Sequence, residues 1–214
     1  MRQRSILNRL KTFMSAILAG VCISLGGAVY LSLDNKIVGS ILFAVGLFVI
    51  CTMGLNLFTG KVCYVFDNKP DYVIDVIIIW LGNLAGTFLS ARLQLLTRYG
   101  TNLSDKAKGI CGTKLGDNLL SIFILAVFCN IMIYIGVEVY KSIKHEIGKY
   151  ISLFLGVVIF ILCGFEHCIA NMYYYTMADV WSINSLFYLI VMTIGNAVGG
   201  IIFPLIRRFI KASE

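Results

Sequence analysis

The residues best suited to chemistry are Glu166 and His167, an acid and an imidazole side by side inside an apolar stretch. An ionisable group at such a place is costly and reads as functional by default. A histidine there can present a ring N–H to an anion or give it a proton. Its plainer role is a neutral imidazole bonded inside a packed core. Glu166 repels anions, so a structural role is expected of it, its carboxylate accepting from loop backbone N–H groups. Thr59 lies in a matching interruption upstream. Its hydroxyl can bond and orient an imidazole, or cap a helix. Asn130 and Asn171 are amides at similar depth, suited to hold a loop or line a path. Cys168 follows His167, but successive residues on a helix diverge by about 100°. No nucleophile–base pair is therefore expected. Nucleophile-elbow, zinc-protease and phosphate-loop patterns are absent, and so is any CxxC pair. We expect no enzyme, no metal and no cofactor.

The elements that must position these residues are membrane spans. Of 214 residues 59% are apolar and 14% charged, far from soluble-domain usage. Apolar runs of about 20 residues give six candidate spans: 12–33, 37–66, 72–96, 115–140, 149–178 and 181–206. The first is too long for a cleavable signal and has no cleavage site after it. Seven cysteines, Cys22, Cys51, Cys63, Cys111, Cys129, Cys163 and Cys168, read as small buried apolar residues.

The net charge is +7. Most Lys and Arg fall on one side of this topology: Arg2, Arg4, Arg9 and Lys11, then Lys61 and Lys69, then Lys141, Lys144 and Lys149, then Arg207, Arg208 and Lys211. The positive-inside rule places that side, and both termini, in the cytoplasm of a cell-membrane protein. No basic run interleaved with aromatics points to nucleic acid. Arg92, Arg98, Lys106, Lys108 and Lys114 fall on the outer side, as solvated charge or as a vestibule that concentrates anions. Tyr173, Tyr174, Tyr175 and Trp181 read as an interfacial belt. His145 reads as solvated, and Glu138 as a partner of Lys141 or Lys144. Phe43, Leu47, Leu57, Phe58 and Phe160 fit either ordinary packing or water-excluding gates.

An internal repeat organises the spans. Gly82-Asn83-Leu84-Ala85-Gly86 and Gly195-Asn196-Ala197-Val198-Gly199 both read GNxxG. Each follows an interrupted span, at Gly54–Gly60 in the second and at Gly164–Asn171 in the fifth. The chain is thus one membrane domain, 1–214, with half-repeats 12–98 and 113–210. Three spans per half makes the repeat inverted, as in many transporters. Broken helices in corresponding positions mark a substrate path, since non-helical backbone at membrane depth must be buried or line a cavity. Half-helix N-termini there favour an anion.

Leu57-Phe58-Thr59-Gly60, Gly164 to Met172, Thr193 to Gly200 and Gly82 to Gly86 together resemble the signatures of the formate/nitrite transporter family, over nearly the whole chain. The resemblance implies an all-α, aquaporin-like protomer of six transmembrane helices with broken second and fifth spans. It also implies a homopentamer with one pore per subunit, conducting formate, nitrite, hydrosulfide or lactate. By residue, it implies His167 as the central pore histidine and Thr59 as its hydroxyl partner. Asn130 would line the pore, and Lys114 would stand in an outer vestibule. Leu57 and Phe58, with Leu47, would form the inner constriction, and Phe43 and Phe160 the outer one. Arg4 falls near an inner-side lysine of the family. Gly60, Gly164 and Glu166 would shape the breaks, and Asn171 would face the substrate. The chain is short for the family at its N-terminus and at 177–182, so N-terminal gating is not expected. Glu138 replaces an apolar or aromatic residue. The short form and the Leu-Phe-Thr-Gly-Lys run resemble hydrosulfide-type members most. The competing expectation is a neutral small-solute channel of aquaporin type, which needs no anion attraction.

Overall fold

The computed structural model describes residues 6–212, so Arg2 and Arg4 lie outside it. Among the described residues there is no strand. The helices are α1 (Ile6–Ser32), α2 (Lys36–Thr52), α3 (Phe58–Lys61), α4 (Tyr72–Leu95), α5 (Gly100–Leu115), α6 (Leu119–Ser142), α7 (Glu146–Leu162), α8 (Cys168–Ala178) and α9 (Ile183–Ala212). A 3-10 turn, Val62–Asp67, continues α3. Four of them, α1, α4, α6 and most of α9, are long and apolar enough to cross a membrane, and α2 is a shorter apolar helix. Their outward faces carry Leu18, Leu25, Ile77, Leu81, Phe128 and Ile194, all exposed, as lipid contact requires. Side-chain caps set the starts of α2, α6, α7 and α8. Asn35 accepts from the Ile37 and Val38 N–H groups, Asn118 from Ser121 N–H. His145, expected to be merely solvated, caps α7 by accepting from Gly148 N–H at 3.3 Å.

The two interrupted stretches share one geometry. After α2, Gly54 takes φ +66 and Leu55 N–H returns to the Ile50 carbonyl at 2.9 Å. After α7, Gly164 takes φ +68 and Phe165 N–H returns to the Phe160 carbonyl at 2.9 Å. Only glycine adopts that backbone without strain, and the returning bond is the usual helix stop. The chain then runs extended for a few residues before α3 or α8 begins.

The GNxxG asparagines hold these breaks. Asn83 Nδ2 donates to the carbonyls of Ala16 (2.8 Å) and Asn56 (3.0 Å), and its Oδ1 accepts from Phe58 N–H (2.8 Å). Asn196 Nδ2 donates to the carbonyls of Ala126 and Glu166, both at 2.8 Å, and its Oδ1 accepts from Cys168 N–H (2.9 Å). The flanking glycines let the helices close. A Cβ on Gly86 would lie 2.1 Å from the Ile17 carbonyl oxygen, and one on Gly199 would lie 2.0 Å from that of Val127. Accordingly α1 packs mainly on α4, and α6 on α9, while α2 meets α7 between the two pairs.

Two expectations are corrected here. The outer basic segment is not a simple loop, because it forms α5. Leu103, Ala107 and Cys111, one turn apart, bury a stripe of α5 mainly against α8. Lys106 pairs with Asp34 at 2.8 Å, and its hydrogen bond and charge hold that carboxyl below the usual range. The tyrosines are core, not belt: all eleven residues of α8 are buried. The Tyr173 ring stands against Gly27 of α1, and its hydroxyl donates to Gln94 Oε1 at 2.6 Å. Trp181 turns inward too, its indole N–H donating to Thr176 Oγ1 at 3.0 Å.

The close helix approach gives a stability test. Gly199→Ala has backbone in its way and should cost about 2 kcal/mol or more. Gly109→Ala, on α5 with open space around it, should be neutral or stabilise by up to about 1 kcal/mol. Thermal unfolding of the detergent-purified protein measures both, and equal midpoints would refute the packing account.

Candidate functional site

The breaks bring His167 and Thr59 together. His167 is 2% exposed and Thr59 fully buried. His167 Nε2 lies 3.0 Å from Thr59 Oγ1. Its Nδ1 accepts from Ala170 N–H at 3.1 Å, so the histidine is also the N-cap of α8. An Nδ1 that accepts carries no proton, so the neutral ring keeps its proton on Nε2 and donates to Thr59. The Thr59 hydroxyl hydrogen is then free to point elsewhere. Phe160 stacks on the imidazole with ring centres 5.5 Å apart, and Phe43 meets Phe160 edge-on at 6.1 Å.

A cavity of about 230 Å³ opens above this point, lined by Phe43, Phe160, His167, Lys114, Glu166 and Asn171 among others. A second, of about 100 Å³, is lined by Leu47, Leu57, Gly60, Lys61 and Lys141 among others. Phe58 is buried, its backbone N–H is held by Asn83, and it lines neither cavity. Leu57 begins α3 as His167 begins α8. The pseudo-equivalent positions thus carry an apolar side chain in one half and an imidazole in the other.

Three candidates have partners that spacing did not reveal. The Glu166 carboxylate takes Lys114 Nζ at 2.5 Å and Asn171 Nδ2 at 2.8 Å, in place of the expected backbone N–H groups. The reason is burial: a carboxylate 3% exposed needs a cation, and Lys114 at the end of α5 reaches it. Lys114 thus lines the cavity with its charge matched. Asn130 is fully buried away from both cavities, its amide donating to the Asn196 carbonyl at 2.7 Å. There it ties α6 to the clamp of the second break. Glu138 pairs not with Lys141 or Lys144 but with Arg207 Nη1 at 2.8 Å, and it accepts from Tyr64 Oη at 3.0 Å. No group of three or more His, Cys, Asp or Glu is arranged for a metal among the described residues.

Comparison with known proteins identifies the family and the fold. The family model described as formate/nitrite transporter matches residues 2–209. The chain is 25% identical to the formate channel FocA of Haemophilus influenzae, over 89% of this chain and 83% of that one. It is 28% identical to FocA of Escherichia coli K12, over 80% and 67%. Among solved structures it resembles a pentameric formate channel with formate bound, with TM-score 0.84, 25% identity and coverage of 99% and 100%. An ion channel of the same family shares the fold with TM-score 0.78.

The buried ion pair gives the test of this site. Lys114→Met leaves Glu166 uncompensated and should cost about 3 kcal/mol or more. Adding Glu166→Gln should recover most of that. Thermal unfolding of the single and double variants measures it, and a double variant no better than Lys114→Met would sink the pairing argument.

Proposed function

The chain belongs to the formate/nitrite transporter family, and from that premise we propose that it is a channel for small monovalent weak-acid anions: formate, nitrite or hydrosulfide. It is a membrane protein of a transporter family, not an enzyme. In this reading six spans cross the cell membrane, α2 with α3 and α7 with α8 each making one, and both termini are cytoplasmic. The halves form an inverted repeat, and five copies assemble with a pore in each. The observation that carries the reading is the imidazole of His167, stacked under Phe160 and bonded to Thr59 where the two helix breaks meet.

The physics is a balance of desolvation against hydrogen bonding. Phe43 and Phe160 form the outer narrowing and Leu47 and Leu57 the inner one. Each opposes a bare anion, because a charge loses hydration in apolar surroundings. The positive end of α8 draws the anion into the outer vestibule, since Arg92, Lys106, Lys108 and Lys114 are each matched by a carboxylate there. Of the first three N–H groups of α8, those of Cys168 and Ala170 are spent on Asn196 and His167, which leaves side chains as the main donors to the anion. The donor left there is the hydroxyl hydrogen of Thr59, which the Nε2–H of His167 frees and polarises by donating to Thr59 Oγ1.

Full protonation of the ring would set an Nδ1–H against Ala170 N–H and undo the cap. The pair therefore works as a hydrogen-bond donor that shares its proton, and a weak acid picks up its own proton from solvent and crosses as the neutral acid. Chloride, which has no neutral form at these pH values, is left behind. Asn171 holds Glu166, and Asn130 supports the second break.

Stopped-flow light scattering on proteoliposomes tests this with formate, nitrite, hydrosulfide, chloride and glycerol at two pH values. Weak-acid flux should be fast, rise as pH falls, and leave chloride and glycerol slow. His167→Asn should slow it about tenfold or more, as expected for a hydrogen bond to a charged group worth about 1.5–3 kcal/mol. Unchanged flux in that variant would remove the histidine from the mechanism. Fast glycerol with no anion flux would make the chain a neutral-solute channel.

A further inference from the structure

Lys61 and Lys141 face the smaller cavity together with Leu47 and Leu57. Among the described residues no carboxylate pairs with either lysine, whereas Lys114 at the other cavity is matched by Glu166. Lys141 is nevertheless held in place. Its Nζ lies 3.0 Å from Tyr64 Oη and 4.1 Å from the centre of the Tyr64 ring. Tyr64 Oη donates its one hydrogen to Glu138 Oε2 at 3.0 Å. Glu138 Oε1 in turn takes Arg207 Nη1 at 2.8 Å, and Arg207 also reaches the Tyr134 hydroxyl at 3.2 Å.

The direction of this chain of bonds follows from donor counting. A phenol has one O–H. Given to the carboxylate, it leaves the oxygen lone pairs to accept from the ammonium. Arg207 matches the Glu138 charge, so the carboxylate orients Tyr64 while its own charge is compensated. The ammonium of Lys141 is thus fixed by a neutral partner and keeps its full charge toward the cavity. Two such charges at the mouth of a small apolar cleft raise the local anion concentration. This also gives Glu138 a reason to stand at the end of α6, where an apolar or aromatic residue was expected.

We propose that Lys61 and Lys141 are the docking pair for a small monovalent anion at this mouth of the pore, that Tyr64 positions Lys141, and that Glu138 positions Tyr64. This rests on the anion-channel reading and places the mouth on the cytoplasmic side.

The test is the initial rate of formate flux against formate concentration on each face, in right-side-out and inverted membrane vesicles carrying the full chain. Lys61→Gln and Lys141→Gln should each raise the half-saturating formate on the cytoplasmic face about three- to tenfold. The maximal rate and the outer face should change little, which separates docking from passage. Lys141→Arg should restore wild-type affinity, a rescue that a merely misfolded variant would not show. Tyr64→Phe removes the hydroxyl and leaves every charge. It should raise half-saturation on its own and add nothing in a Lys141→Gln background. Wild-type half-saturation in both glutamine variants would overturn the docking pair. A Tyr64→Phe effect that persists without Lys141 would overturn the positioning role. Wild-type vesicles that carry none of formate, nitrite and hydrosulfide would overturn the channel reading first, and the docking pair with it.

Discussion

Everything at the centre of this protein depends on two amide side chains. A helix broken at membrane depth exposes backbone N–H and C=O groups that no water can serve, each at a cost of several kcal/mol. Asn83 and Asn196 answer that cost the same way. Each amide donates once to a carbonyl of a neighbouring long helix and once to a carbonyl of the extended loop, and accepts from the first N–H of the short helix that follows. An amide is the neutral side chain that can do all three at once. Leu57 and His167 therefore stand at fixed places, although both are on irregular backbone.

On that symmetric frame the two halves diverge in chemistry. Asn56 and Leu57 in one correspond to Glu166 and His167 in the other. The first half contributes a neutral apolar wall and a hydroxyl, Thr59. The second contributes the ring, its cap at α8 and the buried Lys114–Glu166 pair. The cation beside the histidine is matched, while the cations at the opposite mouth face their cavity without a counter-ion. The asymmetry of charge is laid over a near-symmetry of backbone.

Much of this was legible in the residues. Recurrence of GNxxG behind two glycine-marked interruptions pointed to paired breaks, because glycine with φ near +66 or +68 and a clamping amide both leave traces in sequence. The His167–Thr59 meeting was one of two readings of those residues, helix capping being the other, and the family resemblance chose it. What escaped was long-range pairing and polar helix. Helix α5 is too charged to show an apolar run, and only its Leu103–Ala107–Cys111 stripe betrays a buried face. The partner of Glu138 lies on α9, and no local spacing could choose Arg207 over the nearer Lys141. Tyr173 to Tyr175 looked interfacial because a span end is where tyrosines collect. Here the short α8 is enclosed by α1, α4, α5 and α9, so the same residues are core.

The glycine contacts have a mechanical side. Where Gly86 meets the Ile17 carbonyl and Gly199 that of Val127, two helices touch backbone to backbone with no side chain between them. A contact of that kind has no rotamers to exchange, so it does not yield by small repacking. The pairs α1–α4 and α6–α9 consequently behave as two struts. In the proposed channel, any widening would then fall to the side chains of Phe43, Phe160, Leu47 and Leu57, or to α2 and α7 at the glycine joints of Gly54 and Gly164. The frame of that proposed pore is stiff, and its compliance is confined to the parts proposed to narrow it.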